Sequence, residues 1–279
     1  MKPNQKNISF LRIIAFIFLV ITSISILYPL LFMFINSLKT HQEYVNNPAG
    51  LPIKVTLDNF ITAFRGKPFG LWFANSLFLT IAGALITELL AFPAAFAIAK
   101  LKIKGGKFLL GLTMPLMSVP PVAMLIPLFK LASTFNVTKS RGVVIFIYVG
   151  ILLPMTIYLI HNFIVSIPDS LIESAHIDGC TNLDTLVKII LPLTFPALIT
   201  STLVNIVWIW NELLVSLVFL QDESLRTLVV GITLFKSRFT LDIPVIMAGL
   251  VIATIPMLLV YFFAQKQLIG GLIEGAIKG

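Results

Sequence analysis

The sequence predicts an all-α chain that crosses a membrane six times, and two observations lead there. Residues of the AVILMFWYC set fill 58% of the 279 positions and DEKR only 11%, with a mean hydropathy of +1.00. A water-soluble domain carries about 25% charged residues, so this chain has too few to cover a wet surface. The charges are also gathered into short clusters, and the gaps between them reach the roughly 20 apolar residues that a spanning helix needs. A soluble enzyme, a disordered chain and a secreted disulfide scaffold are excluded. The single cysteine, Cys180, cannot close an internal bridge. The net charge of +8 reads as basic loops beside anionic lipid rather than as a nucleic-acid surface.

The spans follow in order. The first, about residues 13–38, is uncharged and interrupted by Pro29. It follows a basic start but is too long for the roughly 7–15-residue core of a signal peptide, so it is expected to be retained. The second, 72–99, holds one acid, Glu88; the third is 108–129 and the fourth 143–167. The fifth, 193–220, contains Asn205, Asn211 and Glu212, and the sixth is 244–265. Four prolines in or beside the third span (Pro115, Pro120, Pro121 and Pro127) predict a broken or kinked helix there. Residues 1–279 read as one transmembrane domain.

Six spans place both termini on one side. Lys and Arg divide equally, ten and ten, between the two sets of loops, so the positive-inside rule ties on raw count. The crowding of Lys100, Lys102, Lys104 and Lys107, with the basic flank of the first span, tips the reading toward termini inside.

The segment 168–192 does not read as a simple loop. Ser170-x-x-Glu173 fits a capping box, Gly179 stands where a left-handed residue would stop the helix, and Thr181-x-x-Asp184 would cap a second helix ending at Pro192. Two short helices at a bend are expected, with Ile172, Ala175, His176 and Gly179 on one face of the first. On spacing alone, an ordinary interfacial hairpin explains the pattern equally well.

Glu173, Ala175 and Gly179, followed after nine residues by Ile189-x-Leu191-Pro192, resemble the EAA signature of permease subunits in binding-protein-dependent ABC importers. The usual E-A-A is here Glu173-Ser174-Ala175, one small residue for another. Asn75-Ser76, Ile177-Asp178-Gly179, Trp210-Asn211-Glu212, Met247-Ala248-Gly249 and the tail 275–279 are similar to the maltose-type carbohydrate-uptake subfamily, over nearly the whole chain. The resemblance implies a type I ABC importer permease fold in a prokaryotic plasma membrane, with both termini cytoplasmic. It implies a second permease, two copies of a cytoplasmic ATPase that binds ATP and Mg, and an extracytoplasmic binding protein. It implies that Glu173, Ser174, Ala175 and Gly179 lie at the ATPase contact, while Ile189, Leu191 and Pro192 fix the return into the membrane. It further implies that the C-terminal tail, through Ala276 and Lys278, reaches the ATPase. Transport would then run by alternating access.

The chain has no G-x-x-x-x-G-K-[ST], since Gly105-Gly106-Lys107 lacks both the spacing and the hydroxyl. His41, His161 and His176 fall in three different segments, which argues against a zinc cluster. No cofactor of its own is expected, and no catalytic residue. A secondary transporter or channel with a cytoplasmic helical hairpin is the rival reading, since it too needs polar groups in the membrane.

Such groups are costly and are candidates for a substrate route. In the fifth span Ser201, Asn205, Trp208 and Glu212 follow at +4, +3 and +4, beside Asn211; in the second, Asn75 and Ser76 begin a small-polar stripe through Thr80, Gly83 and Thr87. An indole with amides on one face suits a sugar. Helix packing explains Asn205 equally well. Ala91, Ala95 and Ala99 have the spacing of close helix packing.

Overall fold

The structure, a computed structural model, describes residues 5–65, 68–234 and 242–276. Thirteen α-helical segments and one π-helical turn occur among them, with no strand. The chain divides into two compact units, residues 1–67 with 234–255 and residues 68–233 with 256–279.

In the first unit, α1 (Gln5–Ser37) carries the first span, and α13 (Ile243–Ala276) begins the sixth. Both are apolar on all sides, as helices facing lipid are. Between α1 and the second span lie α2 (His41–Asn46) and α3 (Asp58–Arg65). Lys39 is fully buried, and its Nζ donates to the carbonyls of Asn47 (2.8 Å) and Pro48 (3.3 Å). Asn59 Nδ2 donates to the carbonyls of Ser37 and Lys39, both at 2.7 Å, and Thr56 N donates to Leu38 O at 2.9 Å. The Asn59 and Thr56 bonds satisfy the carbonyls of Ser37, Leu38 and Lys39, at and just beyond the end of α1.

The second unit is built on α4 (Phe69–Ala99), α7 (Arg141–Val165) and α10 (Leu191–Asn211). Lipid tails are as apolar as leucine, so these helices associate through close packing and polar bonds rather than through exclusion of water. Ala91 and Ala95 are buried against Ile160 and Ile164. Gly83 meets Ile209 so closely that a Cβ there would stand 2.8 Å from Ile209 Cδ1.

The third span is broken. α5 (Gly106–Met117) and α6 (Pro121–Thr134) meet at 103°. Pro121 lacks an N–H and forces Pro120 out of the helical region, to ψ 128°. The fifth span is also interrupted, where one helix was expected from 193 to 220. Glu212 is extended (ψ 125°), and α11 (Leu214–Phe219) starts afresh after it. The sixth span lies inside the longer α13, and α12 (Leu228–Leu234) precedes it.

Segment 168–192 corrects two local expectations. α8 (Asp169–Ile177) starts after Pro168 without any side-chain cap, so Ser170 and Glu173 form no capping box. The second short helix does not end at Pro192. α9 (Asn182–Asp184) passes through a π-helical turn, Thr185–Ile190, directly into α10. Pro192 has no N–H to give Lys188 O at i+4, and in the wider turn before it Leu191 N bonds to Leu186 O.

Candidate functional site

The elbow formed by α8, α9 and the π turn is held by local and distant contacts. Gly179 has φ +85°. Its N–H donates to His176 O at 3.1 Å, and that of Cys180 donates to Ala175 O at 2.9 Å, the pair of bonds that closes a Schellman motif. The Thr181 side chain and Asp184 then form the reciprocal capping box that opens α9. Gly179 thus ends one helix three residues before the next begins.

Ile172 points inward, packing in one cluster with Phe96, Ile164, Ile167 and Ile190, and Ala175 is buried as well. The face expected to hold Ile172, Ala175, His176 and Gly179 therefore splits. Ala175 is 4% exposed and belongs to the chain's own core, whereas His176 and Gly179 face outward. Glu173 and Ser174 are exposed as well. Beside them stands an apolar ridge left open among the described residues: Ile177, 85% exposed, with Leu171, Leu183 and Val187 also open. Ile189 is half-buried in the π turn, Leu191 opens α10, and Pro192 is exposed.

A lysine clasps this elbow to the bundle. Lys100, at the end of α4, has a side chain only 4% exposed. Its Nζ donates to Ile167 O at 2.5 Å and to Asp169 Oδ1 at 2.6 Å. The Lys100 hydrogen bond and charge hold the Asp169 carboxyl below its usual pKa. One ammonium so joins the ends of α4 and α7 to the first turn of α8.

The opposite end of the unit is stitched by groups expected to face a substrate. Asn75 Nδ2 donates to the carbonyls of Ser224 and Arg226, each at 2.9 Å. Ser76 Oγ accepts from Leu228 N at 2.8 Å, and Trp72 Nε1 donates to Glu223 O at 2.9 Å. Lys139 pairs with Asp222 at 3.2 Å. Asn75 and Ser76 thus hold the backbone after the fifth span, through Nδ2 and Oγ.

Within the bundle, Asn205 Nδ2 donates to Thr156 Oγ1 (3.1 Å) and Glu88 Oε1 (3.3 Å), a node joining α10, α7 and α4. Ser201 is buried and back-bonds to Leu198 O, while Asn211, exposed, donates to Val207 O. Glu212 accepts from Val215 N (2.8 Å) and Ser216 N (3.1 Å), and so caps α11. Tyr148 Oη donates to Glu212 Oε2 at 2.8 Å and lies 2.7 Å from Ser216 Oγ. Tyr148 was not singled out from the sequence; 64 residues separate it from Glu212. Trp208 packs edge-on against Tyr148, with centroids 5.7 Å apart. It lines a cavity of about 610 Å³, walled chiefly by Leu, Met, Ile and Phe of α5, α6 and α7. Ala276 ends α13, and Lys278 lies outside the described residues. No cluster of His, Cys, Asp or Glu suited to a metal occurs among the described residues.

Residues 89–269 match the family described as "Binding-protein-dependent transport system inner membrane component". The chain belongs to that family. Over 91% of its length the permease is 34% identical to the sulfoquinovosyl glycerol transport system permease protein SmoH of Agrobacterium fabrum, covering 89% of that protein. It is 30% identical to the trehalose transport system permease protein SugB of Mycobacterium tuberculosis, covering 91% of the permease and 93% of that relative. Among solved structures it is similar to a bacterial ABC transporter involved in the import of the acidic polysaccharide alginate. That likeness has a TM-score of 0.84 and 25% identity, over 92% of the permease and 96% of that chain. The expected fold class and family are thereby shown, and the permease is a multi-pass inner-membrane subunit of an ATP-driven importer. A secondary transporter or channel falls away.

Proposed function

We infer that the permease imports a carbohydrate and that the 168–190 elbow is where a cytoplasmic ATPase subunit pushes on it. The saccharide class is supported by relatives whose names include sulfoquinovosyl glycerol, trehalose and melibiose/raffinose/stachyose. The observation that carries the coupling role is the exposed ridge of Leu171, Ile177, Leu183 and Val187 on an elbow anchored by Ile172, Ala175 and Lys100. A lever must be rigid toward the bundle and open toward its motor. Exposed aliphatic groups outside the membrane invite a partner, and Glu173 and Ser174 give the rim polar contacts. In this reading Ala175 acts from inside, allowing α8 to seat closely on the core.

The elbow and the basic 100–106 turn lie at the same end of the unit, which supports cytoplasmic termini with the 221–227 backbone outside. A second permease would face this one, two ATPase copies would bind ATP and Mg, and an external binding protein would deliver the sugar. Nucleotide-driven closure would move both elbows and shift the bundles between two states, an equilibrium biased through differential contacts. Trp208 is the surface this chain offers a sugar ring. The amides and carboxylates expected to meet hydroxyls are already bonded within the bundle, so sugar selectivity rests mainly with the binding protein and the facing permease.

The test uses the assembled transporter in vesicles with a panel of labelled disaccharides. Gly179→Trp meets open space, since nothing lies within 4 Å of a Cβ there, although the positive φ carries a modest strain. Uptake should stop while the subunit stays inserted. An Ile177→Cys variant in a Cys180→Ser background should cross-link to the ATPase subunit. Normal uptake in Gly179→Trp, or a cross-link to an extracytoplasmic protein instead, would overturn the coupling role.

A further inference from the structure

We propose that the loop between α2 and α3 is an interfacial anchor that lies in the headgroup layer of the membrane beside the end of α1. Four aliphatic side chains at alternate positions, Leu51, Ile53, Val55 and Leu57, are each more than half exposed, and Ile53 reaches 87%. Ile61 and Phe64 on α3 add to the exposed apolar surface, while Asn59 and Ala63 of the same helix are buried.

This surface is not an accident of a loose loop. Lys39 Nζ binds the Asn47 and Pro48 carbonyls, Gly50 N donates to Asn47 Oδ1, and the Glu43 carboxylate accepts from Ile53 N. Thr56 N is bonded to Leu38 O, and Asn59 to Ser37 O and Lys39 O. A buried ammonium is costly unless its donors are used, so the chain commits a lysine to folding this backbone back on itself. The aliphatic groups remain outside that knot.

The same bonds fix the height of the loop. α1 ends at Ser37 and α13 starts at Ile243, and His41 Nδ1 stands 3.4 Å from Asp242 Oδ1 beside that start. Thr56 is bonded to Leu38, the first residue beyond α1, so Val55 and Leu57 stand level with the end of that apolar helix. Ile53 is three residues further along and therefore within about 10 Å of that level. The headgroup and interfacial region adds only about 5–8 Å on each side of the hydrocarbon. The exposed surface thus continues the lipid-facing surface of α1 at the depth where apolar side chains enter the acyl boundary. Lys54, the one charge in the stripe, can keep its ammonium at the phosphates while its stem stays apolar. A dock for a soluble protein would be expected to centre on aromatic or Arg anchors; the centre of this surface, 51–57, has none, and Phe64 stands outside it on α3.

The inference rests on α1 and α13 as spans and not on the role of the elbow. The transporter carries Ile53→Cys in a Cys180→Ser background, labelled with the fluorophore NBD and reconstituted in phosphatidylcholine vesicles. With phosphatidylcholine bearing a nitroxide next to its headgroup, the label should lose most of its emission, and aqueous iodide should quench it little. Val55→Cys gives a second, independent position with the same expectation. Strong iodide quenching with no effect of the nitroxide lipid overturns the proposal. So does protection that appears only when the binding protein is added, which would assign the surface to that protein.

Discussion

Replacing Lys100 by Met keeps most of the buried stem and deletes the ammonium that closes the elbow. Ile167 O then loses a charge-assisted hydrogen bond in a place where Ile167 itself is only 7% exposed. A hydrogen bond to a charged group contributes about 1.5–3 kcal/mol. Asp169 is exposed and regains water when freed, so the carbonyl accounts for the effect. At 2 kcal/mol, the local opening of α8 rises about 30-fold, since each 1.4 kcal/mol is tenfold. Hydrogen exchange of the 169–177 amides, read by mass spectrometry in detergent, should accelerate by that order, while amides in the middle of α4 keep their rates. Lys100→Arg should retain most of the protection, because a guanidinium can reach the same carbonyl, and Asp169→Asn should change it little. Unchanged exchange of α8 in Lys100→Met would show that the clasp holds nothing. If the elbow transmits ATPase closure, Lys100→Met should also lose uptake faster than it loses ATP hydrolysis.

Acid should act on the same contact. The Asp169 carboxyl is held below its ordinary pKa by Lys100, so its contribution is complete above about pH 4 and is lost as pH falls further. α8 exchange, corrected for intrinsic rate, should stay flat from pH 7 to about 4 and rise below only by the small amount that Asp169→Asn produces at neutral pH; a rise beginning near pH 6 would contradict this. At Gly231, an added Cβ would overlap the Trp72 ring at Cε3, and Trp72 is tethered through Nε1 to Glu223 O. Gly231→Ala should therefore cost about 1–3 kcal/mol by overpacking and lower the melting temperature in detergent; an unaltered melt would mean the ring can move aside. Glu212→Ala removes the acceptors of Val215 N and Ser216 N and should destabilise by about 1–2 kcal/mol, as loss of an N-cap does. Glu212→Gln keeps one acceptor oxygen and should lose less. Equal melting temperatures for the two variants would deny the cap.

Some features that depend on neighbours in sequence were legible from it, although the local Ser170–Glu173 box does not form. The left-handed Gly179 and the Thr181–Asp184 box are dictated within four residues, and both stand as read. The spans were legible because hydrocarbon tolerates so few charges, and the break at Pro120–Pro121 because proline removes a donor wherever it sits. Contacts between distant segments were not. Lys100 finds Asp169 across 69 residues, and Tyr148 finds Glu212 across 64; nothing in either local pattern announces the other. The polar residues of the spans show the same limit. Burial in lipid demands a partner for every amide and carboxylate, and that demand alone marks Asn75, Asn205 and Glu212 as special. It does not say whether the partner is a sugar or the protein's own backbone. For Asn75 and Glu212 the partners found include backbone groups, and for Asn205 two neighbouring helices.

The π-helical turn at Thr185–Ile190 inserts one residue into an otherwise α-helical path, and one residue is about 100° of rotation. Side chains after it are therefore turned by roughly a quarter of a circle from where the phase of α9 would have set them. Leu183 and Val187 look outward while Asn205, farther along the same rod, meets Glu88 and Thr156. Deleting a single residue from the turn would leave composition and length nearly intact, yet swing the outer ridge against the inner polar node like a key cut on the wrong edge.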